Sequence, residues 1–187
     1  MTDSPESPLP DTSLGRGVYY EDDDYAGFVQ RALALSIDFV VLVFIGGLIF
    51  VLLEAIGGWE SERGFVRVFW PTFGVWAWLY LAVLKRSSVR TLGYRITGLR
   101  VVNLRGERPS IIRMTFRFLL WVAGPFHLLF DLLWQGADSE KQTLRDCFSG
   151  TYVVQCAAAP AGEGWLRLAR YGSMGLTLTY PRVRRDS

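Results

Sequence analysis

An acid inside an apolar run is the strongest constraint on this chain. Asp38 interrupts residues 28–53, and Arg31 precedes it by seven residues on the same helical side. As one helix the run measures about 39 Å, against a hydrocarbon core of about 30 Å. It is long enough to cross a bilayer. If hydrocarbon begins near Ala32, Asp38 lies about 9 Å deep. A charge at that depth costs about 2.5–3.5 kcal/mol unless it is paired, hydrated or protonated. The fold must therefore supply a partner.

The 187 residues suffice for one domain or one small helical bundle. Half are hydrophobic, which is high for a soluble domain that still carries 20% charge. The net charge of +2 hides a segregation. The acidic run Glu21-Asp22-Asp23-Asp24 lies near the start, whereas residues 85–117 hold nine basic side chains against the single acid Glu107. In a membrane protein such a split sets orientation, with the basic stretch and the N-terminus on the cytoplasmic side. The first apolar segment is expected to be an uncleaved anchor, because no basic region followed by a short apolar stretch opens the chain. Cys147 and Cys156 have no metal-like spacing and resemble no secreted disulfide framework, so reduced thiols are expected.

Residues 1–24, rich in Pro, Ser and Asp, are expected to form a disordered acidic tail. A transmembrane domain follows over 25–154, then a linker and basic tail over 155–187. The first span covers about 27–55 and stops at Gly57-Gly58; the second covers about 65–84 and is dense in tryptophan. Residues 99–104 carry a weak strand signal, with Arg105-Gly106-Glu107 as a turn. Residues 91–99 are alternatively a short surface helix whose basic groups face anionic lipid headgroups. A third apolar segment, 111–134, is divided by Gly124-Pro125. It is either a kinked crossing or a re-entrant hairpin; charge asymmetry favours the hairpin, which keeps Lys141, Arg145 and the basic tail inside. Residues 165–171 read equally as a weak interfacial helix or as part of a disordered tail. The fold class expected is thus an all-α membrane protein: a small transmembrane helical bundle of two clear spans plus a third kinked or re-entrant segment, with a disordered N-terminal tail.

Several charged groups are candidates for a site. Helical side chains lean toward the N-terminus, so Arg31 points away from Asp38, and Arg113 or Arg117 are the expected partners of the acid. The bland reading is an interhelical ion pair that holds the bundle together. The sharper one is a protonatable or cation-binding carboxylate in a hydrated cavity. His127 and Asp131, four apart, form either a proton relay or simply a satisfied polar pair. One histidine and scattered acids offer too few ligands for a metal, and no cofactor loop or nucleophile arrangement is evident. An enzyme is therefore not expected. The basic 85–117 stretch lacks the interleaved aromatics of a nucleic-acid surface, so lipid is its expected partner.

Three stretches together resemble the RDD family of bacterial integral membrane proteins. They are Arg31-Ala-Leu-Ala-Leu-Ser-Ile-Asp38; Thr91-Leu-Gly-Tyr-Arg-Ile-Thr-Gly-Leu-Arg-Val-Val102 followed by Arg108-Pro-Ser110; and Gln142-Thr-Leu-Arg-Asp146 followed by Gly150-Thr151. Where members often have histidine before the last aspartate, this chain has Arg145. The resemblance implies that Arg31, Asp38 and Asp146 are the signature residues. For the family it implies sodium/proton exchange in some members and assembly roles in eukaryotic relatives. The function expected is a multi-pass cell-membrane scaffold or accessory subunit without catalysis of its own, acting as a homo-oligomer or beside another membrane protein. Ion or proton-coupled transport through an oligomer is the alternative.

Overall fold

Length and apolarity build the first helix. Helix α1, Phe28–Ile56, runs 29 residues, about 43 Å, and stops at Gly57, whose left-handed φ of 70° suits glycine. Its surface is apolar and open: Val29, Phe44 and Val51 are 75%, 73% and 61% exposed. Such length, apolarity and exposure suit a helix that crosses a bilayer. Helix α2, Glu62–Trp78, continues into a π-helical segment, Leu79–Leu84, and returns alongside α1. Phe50 packs edge-on against Phe65, and Phe65, Phe69 and Phe73 stack along α2. Pro71 lies inside α2, where it removes one backbone donor. Ser36 and Thr72 satisfy their hydroxyls on the carbonyls four residues back, at 3.0 and 2.8 Å. The structure, a computed structural model, describes residues 14–57, 62–122, 141–173 and 176–185.

The remainder is not helical alone, which corrects the expected all-α class. Two antiparallel sheets are present. Strand β2, Leu99–Asn103, pairs with β3, Thr151–Gln155. Strand β1, Arg16–Tyr19, pairs with β4, Gly162–Ser173, which pairs in turn with β5, Leu176–Arg185. Three of these strands fall in segments expected to be a disordered tail or an irregular linker. The short helices α3, Leu92–Ile96, α4, Ile111–Val122, and α5, Leu144–Ser149, complete the described chain.

The β2–β3 ladder is covered on both faces, which suits the adjacent apolar pairs Val101-Val102 and Val153-Val154. On one face Leu99, Val101 and Val153 join Ala26, Ala34, Tyr94 and Met114 of the helical layer. On the other, Val102, Tyr152 and Val154 pack with Tyr20 and Tyr25 of the segment after β1 and with Leu166 and Val183 of the second sheet. The ladder thus links the spanning helices to a small β body. Helix α4 keeps Met114 inward and leaves Ile112, Phe116, Leu119 and Val122 exposed, an apolar stripe at helical spacing.

Candidate functional site: two buried carboxylates

Asp38 is fully buried, and its carboxylate accepts three hydrogen bonds and faces one cation. One oxygen accepts from the Tyr80 hydroxyl at 3.0 Å and the Gly93 amide at 2.9 Å. The other accepts from the Thr91 hydroxyl at 2.9 Å and faces Lys85 Nζ at 3.6 Å. Of about four acceptor positions on a carboxylate, three are filled by hydrogen bonds and Lys85 stands opposite the remainder. The Tyr80 oxygen also accepts from the Leu92 amide at 3.0 Å, tying the start of α3 to the same node.

Local backbone geometry creates this cluster. On an α-helix residues five apart stand about 140° apart, so Tyr80 and Lys85 would diverge. In the π segment the Lys85 amide bonds to the Tyr80 carbonyl, a wider turn that brings both side chains toward one face. Gly93 permits the other half: a Cβ there would lie 2.1 Å from the Ala34 carbonyl oxygen. Only glycine lets the α3 backbone approach α1 closely enough to donate to Asp38. Lys85 also sits over the Tyr94 ring, 4.1 Å from its centroid.

Asp146 forms the second node. It sits in the first turn of α5, where its own amide donates to the Thr143 hydroxyl and its carboxylate accepts from the Thr143 amide, both at 3.2 Å. Arg31 and Arg117 both pair with this one carboxylate. Arg31 also donates through Nε to the Ala26 carbonyl at 3.1 Å, and Arg117 to the Thr151 hydroxyl at 2.8 Å. Burial by itself would raise the Asp146 carboxyl, but Arg117, Arg31 and the Thr143 amide outweigh it and hold the group below its ordinary 3.8. The node fastens α1, α4 and α5 at one point.

The signature residues thus divide between two sites instead of sharing one. Arg31 turns away from Asp38 and meets Asp146. The basic partner of Asp38 is Lys85, not the expected Arg113 or Arg117: Arg117 is committed to Asp146, and Arg113 donates to the Gly150 carbonyl at 3.1 Å. Asp146 is fully buried and not at a surface. Residues His127 and Asp131 lie outside the described residues. Sequence reading missed Tyr80, Lys85, Thr91 and Gly93 as Asp38 partners. A signal existed for one further group: Thr143-x-x-Asp146 has capping-box spacing. Cys147 and Cys156 are not joined in a disulfide.

Two apolar helices long enough to cross a membrane, joined to a mixed α/β body, mark a membrane protein. Residues 25–150 match the RDD family, and the chain belongs to that family. The arginine and two aspartates that carried the resemblance are the groups around which both nodes are built. Comparison with curated proteins and with solved structures gives no match.

Proposed function

We propose that this RDD-family protein is a membrane scaffold or accessory subunit without catalysis of its own, in which Arg31, Asp38 and Asp146 lock the spanning helices to the β body. The observation that carries this reading is burial with charge pairing. Both carboxylates are fully buried and opposed by cations, and both bond to neighbouring elements. Asp38 already holds three hydrogen bonds and faces Lys85, which favours a structural role over cation exchange. The exposed apolar faces of α1 and α4 suit lipid, a second copy or a membrane partner.

The same reading sets the topology. A ladder joins β2 to β3, and another joins β1 to β4. A single crossing by residues 111–134 would put paired strands on opposite sides of the bilayer. In this proposal the strands before and after that stretch, whose residues 123–134 lie outside the described residues, share one side of the bilayer with both ends of the chain, and the basic 85–117 stretch makes that side cytoplasmic at the cell membrane.

The test is Asp38→Asn, assayed both for abundance with thermal stability in detergent and for pH-driven cation flux in vesicles. Loss of abundance and stability is expected, because Lys85 would then face an amide. Undiminished stability together with abolished flux would reverse the assignment in favour of transport.

A further inference from the structure

The turn that carries Gly93 to Asp38 lies level with the interior of a spanning helix. The Gly93 amide donates to the Asp38 carboxylate at 2.9 Å, and its Cα abuts the Ala34 carbonyl. Ala34 and Asp38 come about 9 and 15 Å along α1 from Phe28. The helix exceeds the hydrocarbon thickness by about 13 Å. With that excess shared between its two ends, Gly93 lies roughly 3–9 Å inside the hydrocarbon. With all of it at this end, the Asp38 level is still about 2 Å inside.

Non-helical backbone at such depth must find partners within the protein, because no water supplies them. The chain leading into α3 does so. The Val89 and Arg90 amides donate to the Ser87 hydroxyl at 3.2 and 3.3 Å, and the Leu92 amide to the Tyr80 hydroxyl at 3.0 Å. The Ser87 and Thr97 hydroxyls each donate to a carbonyl at 2.7 Å, and Arg90 turns inward to the Leu99 carbonyl at 3.2 Å. What faces outward is different in kind. Between residues 86 and 98 the exposed side chains are Ser88, Val89, Leu92, Arg95 and Ile96, and three of these are large and apolar. Leu92 and Ile96 stand one turn apart on α3, 46% and 61% exposed. Leu33 of α1 is 52% exposed at the same level, so both helices present apolar groups at one depth. Arg95 carries its charge on a long stem that reaches toward headgroups from there.

We propose that residues 86–98 form a wedge immersed in one bilayer leaflet, with Val89, Leu92 and Ile96 against lipid acyl chains. Burial of apolar surface, more than attraction of arginines to headgroups, then holds the segment in the membrane. The inward hydrogen bonds make that immersion tolerable, and Gly93 couples the wedge directly to the buried Asp38. The inference needs only that α1 spans, and it holds for a scaffold and for a transporter alike.

The full chain lacking Cys147 and Cys156, with Val89→Cys, Leu92→Cys or Ile96→Cys, is nitroxide-labelled and reconstituted in phosphatidylcholine vesicles. Electron paramagnetic resonance then reads collisions with oxygen, which concentrates among acyl chains, and with a nickel chelate, which stays in water. Leu33→Cys is the lipid reference, and Arg105→Cys, in the exposed turn after β2, is the aqueous one. All three wedge positions are expected to match Leu33→Cys, with nickel collisions at least about fivefold below those at Arg105→Cys. Should one variant fail to fold, the other two carry the comparison. Nickel access equal to that of Arg105→Cys overturns the proposal. Exclusion of both reagents overturns it too, and spin–spin broadening between labels would then name a second copy as the occupant. Nickel access at Leu33→Cys as well would remove the membrane reading of α1 itself.

Discussion

Two guanidinium groups around one buried carboxylate make Asp146 the residue whose loss costs most. Asp146→Asn leaves Arg31 and Arg117 buried, facing each other without their counter-charge. Breaking a buried pair in this way costs about 3–5 kcal/mol. Chemical denaturation in detergent should show a loss of that size, and a value below about 1 kcal/mol would mean that water already screens the node. Acid has a related effect. The Asp146 carboxyl titrates below 3.8 when folded, so its contribution is complete above that value. It is lost only as pH falls from there toward the depressed folded value. Stability measured from pH 6 downward should therefore lose an acid-dependent component below about pH 4 that Asp146→Asn lacks.

At the level of elements, close backbone approach matters more than helix propensity. Gly93→Ala would put a methyl group 2.1 Å from the Ala34 carbonyl oxygen, forcing α3 away from α1 and breaking the amide bond to Asp38. Overpacking of this kind costs about 1–3 kcal/mol before the lost hydrogen bond is counted. Gly47→Ala supplies the contrast, since nothing lies within 4 Å of a Cβ there. It should be neutral or stabilise α1 by about 0.5–1 kcal/mol. Thermal unfolding of the two variants side by side separates contact from propensity. Equal effects would remove the special role given to the α1–α3 contact. Neither the π segment nor this contact is visible in hydropathy, because both depend on which distant residue lies opposite.

For the molecule as a whole, the proposed topology rests on pairing between distant strands. Arg16 in β1 and Arg184 in β5 are both exposed on one sheet. Arg16→Cys and Arg184→Cys, made in a background lacking Cys147 and Cys156, should react with a membrane-impermeant maleimide from the same side. Labelling from opposite sides would mean that the two ends do not share a sheet in the membrane. The β body had some signal in the sequence: Leu176, Leu178 and Tyr180 alternate with threonines at strand period. Pro181 and the dense arginines give that segment the look of a basic tail, and its paired residues lie up to 21 positions away in the hairpin.

Sequence alone determined that lipid is the solvent for α1 and α2, because span length and apolarity are local properties summed along one helix. It likewise marked Arg31, Asp38 and Asp146 as charges in need of partners, and the turn after residue 103 as a chain reversal. Tertiary structure decided who those partners are and that a β body exists. Ion pairing and strand pairing are satisfied across the fold, between groups separated by 47 residues for Asp38 and Lys85 and by 115 for Arg31 and Asp146. Periodicity along the chain carries no record of such choices.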